Sequence, residues 1–103
     1  MLAYSGADFD FRYPDALVVL QDFVYTEARI DGSKHVIVLR HKDAELGDLR
    51  SIEINLLPAL DRRPNCDRYT LCREVDGIVI GTNSEDPQFR KIYEAVAASF
   101  TKR

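Results

Sequence analysis

The last part of the chain carries the pattern that most restricts the fold, a single apolar stripe with helical spacing. Its members are Phe89, Ile92, Tyr93, Val96, Ala97 and Phe100. Residues spaced three and four positions apart share one face of an α-helix. Asp86 suits the N-cap, Pro87 suits the first helical position, and two basic residues end the chain at the negative end of the helix dipole. The pattern predicts a helix over about residues 87–101 that packs on a sheet formed by the rest of the chain.

Strand-like alternation of apolar and polar residues occupies the first half of the chain. Residues 9–13 alternate and predict a short strand, and residues 1–8 before them are predicted to be a loose lead-in. A β-hairpin is predicted over residues 23–40, with its turn at Asp31-Gly32-Ser33. The segment 16–23 fits a buried strand or a helical turn equally well, because a short apolar run does not separate the two.

The second half repeats this strand-and-turn pattern before the helix begins. Residues 49–57 alternate and are followed by a loop between Pro58 and Pro64. Residues 67–74 are strand-like, Asp76-Gly77 is a hairpin turn signal, and residues 78–80 predict a short strand. The predicted fold class is therefore α+β, a mainly antiparallel β-sheet packed by a C-terminal amphipathic helix.

Size and charge limit the classes of protein to which the chain can belong. Its 103 residues are 46% hydrophobic and 30% charged, which predicts one globular, soluble domain over residues 1–103. The net charge of −3 is well mixed, so neither a nucleic-acid partner nor a membrane partner is predicted. No apolar run approaches the roughly 18 residues of a membrane span, and the N-terminal residues do not resemble a signal peptide. A cytoplasmic location is predicted.

The cysteines and histidines do not form a recognisable reactive or metal-binding pattern. Cys66 and Cys72 would lie about 20 Å apart in an extended strand. They are therefore predicted to be free thiols, which fits a reducing compartment. His35 and His41 flank a predicted strand at opposite ends, too far apart to share a metal. No catalytic residue, metal or cofactor is predicted, and an enzyme that uses Cys72 or His41 is the less favoured alternative.

Arginines concentrate around the proline-bounded loop and form the most distinctive polar feature. They are Arg62, Arg63, Arg68 and Arg73, and acidic residues interleave with them at Asp61, Asp67 and Glu74. One interpretation is a solvated loop whose charges pair with each other. The other is a partner-binding patch, because loops on a rigid sheet often carry binding residues. The candidate partner-binding residues are therefore Arg62, Arg63, Arg68 and Arg73.

Three stretches together resemble the PsbP/Mog1-like α/β/α sandwich family. Phe9-Asp10-Phe11-Arg12-Tyr13-Pro14 is similar to the opening F-x-F-x-Y-P strand of that family, the segment 76–80 to its late hairpin, and Ser99-Phe100 to the end of its closing helix. This chain departs from the family in being shorter and in lacking a central helix. The family includes periplasmic lipoproteins and type VI secretion effector adaptors. The resemblance implies a mostly non-catalytic binding protein, and it identifies no functional residues.

These observations predict a non-enzymatic protein-binding module or adaptor whose partner is another protein. The alternative is a small inhibitor of an enzyme, such as a toxin-immunity or phage anti-defence protein. Both alternatives fit the small size and mild acidity of the chain. A homodimer is a further possibility, because exposed strand edges can pair with a second copy.

Overall fold

The computed structural model describes residues 1–26, 34–57 and 66–102. The predicted turn at residues 31–33, the loop at residues 58–64, and Arg62 and Arg63 lie outside these ranges. The described elements are β1 (Leu2–Ser5), β2 (Phe9–Tyr13), β3 (Leu17–Val24), β4 (His35–His41), β5 (Ser51–Leu56), β6 (Leu71–Val75), β7 (Ile78–Thr82), α1 (Pro87–Ala98) and β8 (Thr101–Lys102).

The strands form two antiparallel sheets, which confirms the predicted α+β class. Three strands pair in the order β1-β2-β8, and five strands pair in the order β3-β4-β5-β7-β6. We call the face of the larger sheet that carries Ile37, Ile54 and Ile80 the inner face, since it packs in the same core cluster as β2 and α1. The outer face is the opposite one, and it carries Glu53 and Gly81.

Helix α1 forms as the apolar stripe predicts. Phe89, Tyr93 and Val96 are buried, and the Tyr93 hydroxyl donates a hydrogen bond of 2.6 Å to the carbonyl oxygen of Ile80. Asp86 caps the helix by accepting from the Gln88 N–H. The helix ends at Ala98 rather than at residue 101, because the residues that follow pair with β2 as strand β8.

The N-terminal segment corrects one expectation and resolves another. Residues 1–8 are not only a loose lead-in, because β1 pairs antiparallel with β2 over four residue pairs. Tyr4 on β1 stacks on Phe11 with ring centroids 4.7 Å apart. Strand β1 has only four residues, too few to give a periodic signal in the sequence. The ambiguous segment 16–23 is a strand, β3, which pairs with β4.

The segment leading into β6 differs from its predicted extended form. Asp76 (φ 50°) and Gly77 (φ 84°) both have positive φ, so the predicted hairpin turn between β6 and β7 is confirmed. Residues 66–68, however, form a turn of 3-10 helix, and β6 begins only at Leu71. The strand prediction for residues 67–74 is wrong over this turn.

That turn overturns the prediction of free thiols. Cys66 and Cys72 form a disulfide with their Cα atoms 5.5 Å apart. The separation of about 20 Å assumed an extended chain, whereas the 3-10 turn brings the first cysteine back beside the second. The disulfide therefore closes a short loop at the start of β6.

We expect the Cys66→Ser/Cys72→Ser variant to be about 2 kcal/mol less stable than the wild type, because the short cross-link restricts the unfolded chain. Urea unfolding without reductant measures the difference. Reductant should lower the free energy of unfolding of the wild type to that of the variant, and it should leave the value for the variant unchanged. A wild-type midpoint that does not respond to reductant would contradict the expectation.

Candidate protein interface

The two described arginines of the predicted patch lie on opposite faces of the larger sheet. Arg68 Nη2 lies 3.6 Å from Glu53 Oε2 on the outer face. Arg73 Nη2 lies 2.6 Å from Oε2 of Glu94, which belongs to α1 on the inner side. Arg68 and Arg73 therefore do not form one continuous patch. Partner binding by the four arginines stays a prediction.

Next to Arg68, the side chain of Tyr69 is held in place from several sides. Its hydroxyl donates to Glu53 Oε2 at 2.6 Å and accepts from Asn55 Nδ2 at 3.0 Å. Its ring lies directly over Gly81, where a Cβ atom would overlap it. Burial, and then the bond to Glu53, raise the pKa of Tyr69 well above its ordinary value. Tyr69 is therefore packed against Gly81 and hydrogen-bonded to Glu53 and Asn55, which favours a structural role for this side chain.

Strand β3 offers a different kind of surface at the other end of the same sheet. It lies at the edge of the sheet, and β4 is its only partner among the described strands. Leu17 is buried, but the other five large apolar side chains of β3 are between 38% and 61% exposed: Val18, Val19, Leu20, Phe23 and Val24. An eight-residue edge strand with this much exposed apolar surface is a candidate interface.

The main chain of β3 shows which of its groups face away from the sheet. The Tyr25 N–H donates to the Lys34 carbonyl oxygen at 2.8 Å, so Tyr25 directs its backbone toward the β4 side. Because neighbouring residues of an antiparallel strand alternate in direction, Val24 and Asp22 direct their N–H and C=O groups toward the free edge. A bulge between Val19 and Gln21 changes the register of β3. Beyond the bulge, Val19 also directs its N–H and C=O groups toward the free edge.

A histidine held between two aspartates lies behind this edge. His35 Nε2 lies 2.6 Å from Oδ1 of Asp22 on β3, and His35 Nδ1 lies 3.4 Å from Asp8 Oδ2. The Tyr4 hydroxyl donates to the other oxygen of Asp22 at 2.8 Å. Burial, and then this bond to Asp22, raise the pKa of Tyr4. The cluster therefore joins β1, β3 and β4.

The geometry of this cluster favours a structural role over a catalytic or metal-binding one. His35 is 5% exposed, its ring packs against Phe9, and its two nitrogens point to different carboxylates instead of converging on one point. Among the described residues, no group of three or more metal-ligating side chains is arranged to hold an ion.

Sequence reasoning missed the His35 cluster. Asp8, Asp22 and His35 are separated along the chain and belong to no motif, so only the pairing of β3 with β4 and the packing of β1 bring them together. The prediction that His35 and His41 flank one strand at opposite ends is confirmed, since β4 begins at His35 and ends at His41. His41 makes a local contact of the kind expected for a turn residue. It lies at the end of β4, and its Nδ1 accepts a hydrogen bond from the Asp43 N–H.

Helix α1 has 12 residues, and no helix in the described ranges is long and apolar enough to cross a membrane. The chain has no match among protein-family models, among curated proteins or among solved structures.

Proposed function

We propose that this chain is a non-enzymatic protein-binding module, an adaptor, that accepts an extended segment of its partner as an additional strand beside β3. The observation that carries the proposal is the exposed apolar surface of β3, where Leu20 is 60% and Val24 is 61% exposed. In this binding mode main-chain hydrogen bonds supply affinity and alternate side chains supply specificity. Both requirements are present on one strand.

The sequence of β3 supports the proposal further, because it is poorly protected against strand pairing. Edge strands are commonly guarded by lysine or proline, and β3 has neither in its sequence LVVLQDFV. Its bulge and the charge of Asp22 interrupt the apolar edge without covering it. A strand of this kind is suited to a partner that pairs with it.

The resemblance to the PsbP/Mog1-like family supports the same proposal, since that family consists mostly of binding proteins. The three stretches that carry the resemblance form β2, the turn between β6 and β7 with strand β7, and α1 with the two residues that follow it. Arg62, Arg63, Arg68 and Arg73 are retained as a second proposed set of partner-binding residues. Of these, Arg73 lies on β6, at the opposite end of the strand order from β3.

The disulfide bears on the compartment in which binding takes place. The predicted free thiols supported the predicted cytoplasmic location, and Cys66 and Cys72 are instead bonded. Disulfides persist in oxidising compartments and are rare in the cytosol. We propose an oxidising compartment. Thiol-specific alkylation in the source cells should label neither cysteine before reduction, and labelling there would contradict this location.

The experiment on function uses Leu20→Lys/Val24→Lys, which places two charges on the exposed edge. Cross-linking in the source cells identifies the partner, and calorimetry with the purified pair measures the dissociation constant. We expect the variant to bind at least about tenfold more weakly, a loss of about 1.4 kcal/mol, because two apolar contacts are replaced by solvated ammonium groups.

The matched control is Leu46→Lys, a fully exposed turn residue outside β3. It should bind as the wild type does, and both variants should keep the wild-type melting temperature. Equal dissociation constants for the edge variant and the control would overturn the role of β3. Weaker binding by Arg68→Ala alone would assign the partner to the arginine patch.

A further inference from the structure

The inference concerns the kind of segment that β3 receives, and it rests on the proposed function. Asp22 is the only charged residue on β3, and it lies between Val19 and Val24 among the residues whose backbone faces the free edge. We propose that the partner segment carries a lysine or arginine opposite Asp22, with an apolar side chain two positions away on either side. The ligand is therefore an extended, basic-centred apolar strand from a different protein.

Two carboxylates lie behind the free edge of β3. Asp22 and Asp8 hold one histidine between them, and their side chains are 38% and 46% exposed. Two carboxylates exceed the charge of one imidazolium, so the cluster stays negative whether or not His35 is protonated. A basic side chain on an added strand would project onto the same face about 5 Å away, within reach of Asp22.

The carboxylate of Asp22 can accept a hydrogen bond from a further donor. Its Oδ1 contacts His35 and its Oδ2 accepts a hydrogen bond from Tyr4, so each oxygen has one of these contacts. A carboxylate offers about four acceptor positions. A lysine or arginine can therefore bind without displacing the bonds that join β1, β3 and β4.

The sequence of β3 distinguishes a foreign partner from a second copy of this chain. The β3 sequence LVVLQDFV contains no basic residue, so a β3–β3 pair offers Asp22 only an apolar residue, a glutamine or another Asp22. In the register centred on Asp22 the two Asp22 carboxylates would oppose each other, and like charges directly opposite destabilise a strand pair. The charge of the edge therefore favours a different chain.

The experiment uses three synthetic peptides with the pattern T-V-T-X-T-V-T, in which X is Lys, Gln or Glu. Amide chemical shifts of the full chain locate binding, and their titration gives the dissociation constant. We expect shifts centred on β3 and about tenfold tighter binding for the Lys peptide than for the Glu peptide, with Gln between them. Because the preference is electrostatic, it should shrink to below about threefold at 0.5 M salt.

Two variants separate the charge from the edge itself. Asp22→Asn keeps a hydrogen-bond acceptor beside His35 and Tyr4, and it should reduce the Lys-to-Glu preference to below about threefold while all three peptides still bind. Leu20→Lys/Val24→Lys should weaken the uncharged Gln peptide by loss of apolar contact, and the Lys peptide further by repulsion. Melting temperatures of both variants close to that of the wild type show that the fold is kept.

Each remaining outcome has a defined meaning. Equal binding of the three peptides at β3 would overturn the basic-centred ligand and leave the proposed function standing. The absence of β3 shifts with all three peptides at millimolar concentration would overturn the proposed function. A concentration-dependent dimer that Leu20→Lys/Val24→Lys abolishes, seen by sedimentation, would identify a second copy as the occupant and overturn the foreign ligand.

Discussion

A chain that ends at Glu85 is expected to lose its cooperative unfolding transition. The truncation removes Phe89, Tyr93 and Val96, which are no more than 1% exposed, and it also removes strand β8. Each large buried apolar side chain contributes about 1.5–3 kcal/mol, and whole domains are stable by only about 5–15 kcal/mol. Near-ultraviolet circular dichroism during a thermal melt measures the loss.

Two point variants provide matched controls on the same helix. Phe89→Ala should cost about 3–5 kcal/mol, because it empties a buried site. Lys91→Ala is on the exposed side and should change stability by less than about 0.5 kcal/mol. A cooperative melt in the chain that ends at Glu85 would show that the two sheets form a core without the helix.

The second large effect is expected at Gly81, which lies beneath the ring of Tyr69. A Cβ atom at this position would overlap the ring atoms next to the Tyr69 Cβ, where the side chain has little freedom to move. The ring must then shift, which breaks the bonds of its hydroxyl with Glu53 and Asn55. We expect Gly81→Ala to cost about 3 kcal/mol in urea unfolding, from overpacking and lost hydrogen bonds.

A double-mutant cycle tests whether Tyr69 is the cause. In a Tyr69→Ala background the space is empty, so Gly81→Ala should cost at least about 1 kcal/mol less than in the wild type. In a Tyr69→Phe background the ring remains, and the cost of overlap should remain with it. Equal costs of Gly81→Ala in the Ala and wild-type backgrounds would assign the effect to the strand backbone.

The elements that sequence predicted well are those whose causes are local. Helix α1 has an apolar stripe, an N-cap at Asp86 and a proline at its start, all within a few turns. The turn at Asp76-Gly77 requires two residues that tolerate positive φ, and these two residue types do so. Strands β2 and β5 likewise carry their own alternation of apolar and polar residues, and β4 carries a run of Val and Ile.

The wrong prediction of free thiols shows the limit of interpreting each segment from its own sequence. Cys66 and Cys72 look distant if the chain between them is extended, and a single 3-10 turn changes that distance to 5.5 Å. The His35 cluster could not be predicted for a related reason. Asp8 and Asp22, which contact His35, and Tyr4, which contacts Asp22, lie on other segments of the chain. Neither feature has a signature in the spacing of residues.

The amino-acid sequence alone determined that the chain ends in an amphipathic helix on an antiparallel sheet, because periodicity records which side of each element is apolar. It did not determine where β3 would lie, since the run of apolar residues at 17–20 is equally compatible with a central strand. Only the strand order β3-β4-β5-β7-β6 places that run at an edge. The candidate interface therefore comes from tertiary structure, because burial depends on neighbours that distant parts of the chain supply.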